Sequence, residues 1–158
     1  MTIREPHPGD IPPILALWNQ EIREGLATFT TVEKSEADIA TLIKGPCLVA
    51  EVAGGFAGFG SFGPFRPGSG YAHTCEHAIY LVKDAHGQGL GRAMLAALEA
   101  QAKEAGIHVM VAGISSANQG AVGFHEACGF EHAGQVQEAG RKWDQWLDLI
   151  LMQKRLTD

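Results

Sequence analysis

The chain has 158 residues, of which 46% are hydrophobic and 19% are charged. A chain of this length and composition forms about one globular domain, so we expect residues 1–158 to fold as a single unit. The net charge is −6, whereas proteins that bind a nucleic-acid backbone are usually basic, so no nucleic-acid partner is expected. A small anionic ligand is compatible with this charge, because it needs only a few local donors.

The three cysteines, Cys47, Cys75 and Cys128, stand far apart in the sequence. An odd, scattered set is a poor disulfide framework and favours a reducing compartment. Residues 1–10 lack the apolar core of a signal peptide, and no apolar run approaches the roughly 18 residues that cross a bilayer. We therefore expect a cytoplasmic protein that does not enter a membrane.

Helical spacing and turn residues predict the elements of the first half of the chain. Asp10 is placed to cap an amphipathic helix, and Ser35 is placed to cap a shorter one. Two strands, over 47–52 and 56–62, then form a hairpin with a glycine turn at 54–55.

The second half of the chain alternates strands with helices. The predicted strands cover 71–82, 108–114, 130–138 and 146–152. One predicted helix begins at Leu90, and another spans 118–128. This alternation, beside an early hairpin, indicates an α/β (α+β) domain with a mixed central sheet flanked by helices.

A glycine-rich turn between a predicted strand and a predicted helix carries the strongest chemical signal. It consists of His86, Gly87, Gln88, Gly89, Leu90, Gly91 and Arg92. Glycines let a ligand approach the backbone, and the N–H groups of a turn and of a helix N-terminus attract an anion. Arg92 adds a positive charge in the first helical turn, which a negative ligand would balance. We therefore predict an anion-binding site at this turn.

Two familiar phosphate-binding motifs fit the turn poorly. A P-loop needs Lys-Ser or Lys-Thr after its last glycine, and neither is present. A dinucleotide fingerprint needs Gly-x-Gly-x-x-Gly and an acid about 20 residues later. Here the spacing is Gly87-x-Gly89-x-Gly91, and residues 106–113 contain no acid. A turn without a ligand is the remaining alternative, and three alternating glycines directly before a helix disfavour it.

The turn resembles the acyl-CoA pyrophosphate loop of GCN5-related N-acetyltransferases (GNAT), Gln/Arg-x-x-Gly-x-Gly/Ala, with His86 at the first position. Residues 118–130 resemble a second motif of that family, Asn…Tyr…Gly-Phe, with His125 in place of the usual Tyr. Residues 73–80 and 142–153 resemble phosphinothricin and methionine sulfoximine acetyltransferases. The resemblance covers nearly the whole chain.

This resemblance implies a GNAT fold, acetyl-CoA as the acyl donor and a small amino-acid-like amine as the acceptor. It also implies a homodimer, which is common in the subfamily. The turn 87–92 would hold the CoA diphosphate. The backbone of Ile79, Tyr80 and Leu81 would pair with the pantetheine arm as an extra strand does, and Asn118 would bind that arm besides capping its helix.

Glu76 and His125 are the candidate catalytic residues. The substrate ammonium must lose a proton before it attacks the thioester, and Glu76 lies among apolar residues, where desolvation raises the pKa of a carboxyl group. A solvent-facing acid on a half-buried strand is the alternative for Glu76. The resemblance places His125 where the family's acid protonates the leaving CoA thiolate, a task that suits the pKa of histidine. A packed or capped helix histidine is the alternative for His125.

The acceptor is expected at the loop before Glu76. Arg66 is the only Arg or Lys within residues 45–82, and it suits a substrate carboxylate. The resemblance implies that Arg66, Pro67 and Gly68 contact the acceptor.

Three further residues bear on the acceptor site. Ala72 replaces an Arg that many relatives have, which affects the identity of the acceptor. Phe29 and Trp143 are candidates for the pocket wall, with a place in the core as the alternative for each.

His73, Cys75 and His77 share one strand face, which raises the alternatives of a zinc site and of a Cys–His nucleophile. No fourth ligand lies at metal spacing, so no metal is expected. Direct attack assisted by Glu76 leaves no need for an acetyl-cysteine intermediate.

The sequence therefore predicts an acetyl-CoA-dependent N-acetyltransferase that acts on the α-amino group of methionine sulfoximine, methionine sulfone or a phosphinothricin-like analogue. One alternative is a GNAT enzyme with another amine acceptor, a peptide N-terminus or a polyamine. Arg66 favours a carboxylate-bearing acceptor over a polyamine. The other alternative is a non-catalytic sensor that binds acyl-CoA, and the presence of both Glu76 and His125 argues against it.

Overall fold

The computed structural model describes residues 1–158. The strands are β1 (Thr2–Arg4), β2 (Cys47–Val52), β3 (Gly55–Pro64), β4 (Thr74–Leu81), β5 (Val109–Ser115), β6 (Glu131–Lys142) and β7 (Gln145–Arg155). The α-helices are α1 (Ile11–Glu24), α2 (Glu36–Leu42), α3 (Leu90–Glu104) and α4 (Gln119–Ala127). None of the helices combines the length and apolar composition that crossing a bilayer requires.

All seven strands form one sheet in the order β1-β2-β3-β4-β5-β7-β6. Every neighbouring pair is antiparallel except β4 and β5, which run parallel. These two strands pair only from Thr74–Val109 to His77–Ala112, although both continue for several residues more. Beyond His77 and Ala112 the strands separate, so the sheet has a gap in its middle.

Alternating side chains of the sheet pack into two cores. Val49 and Phe59 pack against Ile14 of α1 and against α2. Leu48, the residue before Val49, belongs to the other core, which contains Leu98 of α3. Because neighbouring strand residues point to opposite faces, the two groups of helices cover opposite sides of the sheet. The predicted mixed sheet flanked by helices is confirmed.

The predicted starts of α1 and α2 are both found, but only Ser35 caps its helix as expected. Ser35 Oγ accepts the N–H of Asp38 at 3.2 Å, and the Asp38 carboxylate accepts the N–H of Ser35 at 2.8 Å. Asp10 makes no side-chain cap bond. Its carboxylate accepts two bonds from Arg4, at 2.8 and 2.9 Å, and one from the His7 N–H. Asp10 thus ties β1 to the start of α1 instead of capping the helix.

Two differences from the sequence prediction concern β1 and the start of β4. The sequence predicts no strand at the N-terminus, yet residues 2–4 pair with β2 at the edge of the sheet. The strand predicted over 71–82 begins only at Thr74, because residues 69–71 form a 3₁₀ turn.

Candidate active site

A cavity of about 660 Å³ lies where β4 and β5 separate, and its volume is typical of a ligand site. Its walls come from the two strands, from α4 and from the segment that follows α1. The site residues predicted from the sequence that line this cavity are Phe29, Glu76, Ile79, Tyr80, Leu81, Gly91, Asn118 and His125.

Glu76 lies on β4 with its side chain in the cavity. Its carboxylate extends toward β5, where Gly113 has no side chain to block it; a Cβ on Gly113 would stand 2.8 Å from Oε2. Desolvation by the surrounding protein raises the pKa of Glu76 above the ordinary carboxyl value. A carboxylate with a raised pKa is a better acceptor for the proton of an ammonium group.

His125 of α4 contacts His77 of β4, and both rings are buried. Their Nε2 atoms lie 3.0 Å apart. The Nδ1 atom of His125 lies 2.7 Å from the Ala121 carbonyl oxygen, and that of His77 lies 3.2 Å from the Val111 carbonyl oxygen. Burial lowers the pKa of His125, and burial together with the charge of His125 lowers the pKa of His77 to about 4. Both ring nitrogens of His125 are thus engaged within the protein.

Asn118 precedes α4, but its side chain makes no cap hydrogen bond. Its backbone N–H donates to the Ser115 carbonyl at 2.9 Å. The predicted capping role of the Asn118 side chain is therefore wrong. Because Asn118 lines the cavity, its side-chain amide is available to a ligand.

The glycine turn has the backbone conformation that only glycine adopts readily. Gly87 and Gly89 have φ values of 78° and 77°, and Gly89 directly precedes α3. A Cβ on either residue would meet no atom within 4 Å. The backbone here faces open space, so a ligand can approach it. Gly91 differs, because its Cβ would lie 3.3 Å from the ring of Phe124.

Only His86 and Gly91 of this turn line the cavity itself. The Leu90 side chain is buried in the core, which leaves only its backbone for a ligand. The side-chain amide of Gln88 donates to the Asp84 carbonyl. The predicted residues of the turn that lie outside the cavity lining are Gly87, Gln88, Gly89, Leu90 and Arg92.

Ile79, Tyr80 and Leu81 lie in the part of β4 that has lost β5 as a partner. On its other side this segment pairs with β3. The main-chain groups that point away from β3 have no strand partner, and an extended ligand can pair with them. The Tyr80 ring stacks on Phe59, with 5.1 Å between the ring centroids.

Buried Lys142 of β6 holds the segment between α1 and α2 that carries Phe29. Its Nζ donates to the carbonyls of Gly25, at 2.7 Å, and of Thr28, at 2.9 Å. Phe29 packs directly over Gly140, where any Cβ would collide with its ring. Nothing in the sequence singles out Lys142, since lysine is almost always exposed.

Other residues predicted for the acceptor site lie elsewhere. Arg66, Pro67 and Gly68 lie in an exposed loop and do not line the cavity; the guanidinium of Arg66 lies 5.5 Å from the ring centroid of Tyr71. Trp143 is 47% exposed in the turn between β6 and β7. Trp143 is neither a cavity wall nor a core residue, so that prediction is wrong.

His73 and Cys75 do not join His77 in a functional cluster. His73 is exposed, with Nδ1 2.8 Å from the Gly106 carbonyl oxygen, and Cys75 lies in the core. Burial raises the pKa of the Cys75 thiol to about 11, with a smaller contribution from Glu76, so little nucleophilic thiolate forms at neutral pH. No group of three or more His, Cys, Asp or Glu side chains is placed to hold a metal ion.

Glu21 and His77 also line the cavity, although no sequence motif assigns either of them to the site. Glu21 lies on α1, more than 50 residues from Glu76 in the chain. His77 is Glu76's neighbour, and its contact with His125 joins residues 48 positions apart. Only the packing of α1 and α4 on β4 reveals these positions.

Comparison with known proteins identifies the family. The model of the acetyltransferase (GNAT) family matches residues 15–130. The L-methionine sulfoximine/L-methionine sulfone acetyltransferase of Pseudomonas paraeruginosa is 39% identical over 98% of this chain and 94% of that protein.

Solved structures agree with this assignment. The phosphinothricin acetyltransferase of Sinorhizobium meliloti, in complex with acetyl-CoA, has a TM-score of 0.91 at 30% identity, covering 98% of this chain and 87% of that one. The ribosomal-protein-alanine N-acetyltransferase of Brucella melitensis has a TM-score of 0.93 at 35% identity, covering 98% and 99%. The chain belongs to the acetyltransferase (GNAT) family.

Proposed function

We propose that this acetyl-CoA-dependent N-acetyltransferase acts on the α-amino group of a small amino-acid analogue such as methionine sulfoximine, methionine sulfone or phosphinothricin. The observation that carries the proposal is a carboxylate with a raised pKa, Glu76, in a cavity at the gap of the sheet. The names of the relatives from Pseudomonas and Sinorhizobium support this class of acceptor.

In the proposed reaction, Glu76 accepts a proton from the substrate ammonium, directly or through one water. The neutral amine then attacks the carbonyl carbon of the thioester. The C–N bond forms, the C–S bond breaks, and its electron pair stays on sulfur. The rest of the catalysis is the positioning of two substrates for direct transfer.

The donor would lie along the gap between β4 and β5. The backbone of Ile79, Tyr80 and Leu81 would pair with the pantetheine amides, and the side-chain amide of Asn118 would bind the same arm. The open backbone of the 87–92 turn, at the N-terminus of α3, would bind the diphosphate.

His125 would protonate the departing thiolate. It lines the cavity, but its Nε2 is in contact with His77 and its Nδ1 with the Ala121 carbonyl. The proposed step therefore requires the Nε2 contact with His77 to be exchanged for one with sulfur.

Phe29 would form a wall of the acceptor site, and the loop with Arg66, Pro67 and Gly68 would contact the acceptor's acid group. The Arg66→Gln variant should raise KM for the amine and leave KM for acetyl-CoA unchanged. An unchanged KM for the amine would show that this loop does not contact the acceptor.

One observation favours a different acceptor. Glu21 and Glu76 line the cavity and Arg66 does not, an arrangement that suits a cationic acceptor such as a polyamine. A peptide N-terminus is the other acceptor class, supported by the name of the Brucella relative. A non-catalytic sensor would bind acetyl-CoA and release no CoA.

The deciding experiment is a panel assay of thiol release from acetyl-CoA with the purified protein. The panel contains amino acids, their sulfoximine, sulfone and phosphinic analogues, polyamines and peptides that begin with alanine. The highest kcat/KM with the amino-acid analogues supports the proposal. A preference for polyamines or peptides, or acetyl-CoA binding without any CoA release, would overturn it.

We also propose that the protein is a cytoplasmic homodimer. Val136, Trp143 and Trp146 are 48%, 47% and 58% exposed on the β6–β7 hairpin, and a partner subunit would cover such large apolar side chains. The cysteines are all free thiols, which suits a reducing compartment. Sedimentation at twice the chain mass of 16.9 kDa supports the dimer, and sedimentation at the chain mass at all concentrations contradicts it.

A further inference from the structure

We propose that His77 is a positioning residue that supplies the proton of His125: the two rings share one proton between their Nε2 atoms and act as a single acid. This inference rests on the proposed function, because the shared proton is the one that the CoA thiolate receives. It assigns a role to His77, a buried residue that the reaction as described above does not use.

The hydrogen bond of His125 fixes which of its nitrogens carries a proton. A carbonyl oxygen only accepts, so the 2.7 Å contact with the Ala121 oxygen places a proton on Nδ1 of His125. Nε2 of His125 then presents a lone pair to His77 at 3.0 Å. Two lone pairs at this distance repel each other, so Nε2 of His77 carries a proton and donates it to His125.

The second nitrogen of His77 completes the pattern. Its Nδ1 lies 3.2 Å from the Val111 carbonyl oxygen, which also accepts only. All three contacts are hydrogen bonds only when the two rings together hold three N–H protons, one more than two neutral rings. Burial lowers the pKa of both rings, so the pair binds the third proton only below the ordinary pKa of histidine. Burial and the mutual repulsion of two charged rings exclude a fourth proton, so the pair titrates as a unit.

Several other titratable side chains lie near the histidine pair. The other titratable side chains that line the same cavity are Glu21, Glu76, Tyr80 and His86. Cys75, on the same strand face as His77, is a neutral thiol because burial raises its pKa.

The proton balance of the transfer follows from this arrangement. When the C–S bond breaks, the shared proton passes from His125 to the sulfur and leaves two neutral rings, each protonated on Nδ1. The ammonium loses two protons as it becomes an amide. One of them restores the pair, and the other leaves to solvent through Glu76.

The test compares the His77→Gln and His77→Phe variants with a His73→Gln control, which changes an exposed histidine directly before the same strand. Glutamine can still donate to Nε2 of His125 but cannot hold the extra proton. We expect both His77 variants to lower kcat by about tenfold or more, with KM for acetyl-CoA within about twofold of the parent, and the control to keep full activity. Full kcat in His77→Gln at every pH would overturn the proposal.

Nitrogen-15 NMR of the histidine rings tests the shared proton in the unaltered protein, independently of whether the variants fold. We expect protonated Nδ1 atoms on both His77 and His125 at the pH of highest kcat. As the pH rises, the pair should lose a single proton over the range in which kcat declines. A bare Nδ1 on either ring at the pH of full activity would overturn the proposal. Absence of CoA release with every amine of the panel would instead overturn the proposed function, while the NMR spectrum would still decide whether the proton is shared.

Discussion

The carboxylate of Glu76 occupies the space that a side chain on Gly113 would need, since a Cβ on Gly113 would stand 2.8 Å from Oε2. Glycine at position 113 thus lets the proposed base extend from β4 toward β5. The two residues lie on the strands that border the gap, so their contact fixes where the carboxylate meets a substrate.

The Gly113→Ala variant should displace this carboxylate without unfolding the protein. The colliding atom is the end of a flexible side chain, so we expect little change in Tm and a fall in kcat of about tenfold or more, as for a misplaced general base. Gly63→Ala is the matched control, because Gly63 pairs with Glu76 on the opposite side and its Cβ would meet no atom within 4 Å. Equal kcat values for the two variants would contradict this interpretation.

The Glu76→Gln variant should lower kcat by about 100-fold, the contribution of a general base, while its Kd for acetyl-CoA stays unchanged. The sign of the pH dependence follows from the raised pKa of Glu76. A base works when it is deprotonated, so activity should rise with pH through a pKa above the ordinary carboxyl value. The variant should lose this rise. The same acidic limb in the variant and the parent would assign the proton transfer to another group.

The Gly89→Val variant should weaken acetyl-CoA binding, because the side chain would stand in the open space before the backbone of the turn. A left-handed φ also strains valine by roughly 1–3 kcal/mol. Gly54→Val separates the two effects, since Gly54 has a φ of 79° and equally open surroundings in the β2–β3 turn. Calorimetry should find a similar loss of stability in both variants and a Kd increase of about tenfold or more only in Gly89→Val. An unaltered Kd for acetyl-CoA in Gly89→Val would show that the turn does not bind the diphosphate.

The Asp10→Asn variant should lower the free energy of unfolding by about 2 kcal/mol, because a buried carboxylate with charged donors loses its charge. The hydrogen bonds from Arg4 hold the pKa of Asp10 below its ordinary value. A depressed pKa in the folded state stabilises the protein above the unfolded-state pKa, and this stability is lost as the pH falls through the folded-state pKa. Urea unfolding should therefore separate parent and variant near neutral pH and bring them together in strong acid. A difference in unfolding free energy that stays constant across this pH range would show that ionisation of Asp10 does not stabilise the fold.

Local patterns predicted the parts of the molecule in which neighbours in sequence determine the structure. The Ser35 cap, the glycine turn and the apolar faces of α1 and α3 are all of this kind. β1 was not predicted, because a three-residue segment is too short to show a clear alternation and forms a strand only by pairing with the edge of β2. Within β6, Glu138 has a positive φ of 54° where the register with β7 is irregular, and the prediction stopped at this residue although the strand continues.

The candidate site could be predicted where it follows a motif and not where it depends on packing. Glu76 and His125 were found because residues around them resemble a known family, and both line one cavity. The contact between His77 and His125 depends on how α4 packs on β4, which no local pattern encodes. The role of Lys142 in holding the segment that carries Phe29 was not predicted either, because its partners Gly25 and Thr28 are more than 110 residues away in the sequence.

The ammonium of Lys142 joins β6, the edge strand of the sheet, to the segment that carries Phe29 of the cavity wall. Under the proposed function, the choice of amine would therefore depend partly on Lys142, which does not line the cavity itself. Substitution of Lys142 would then change the choice of acceptor, while Glu76 keeps its place beside Gly113.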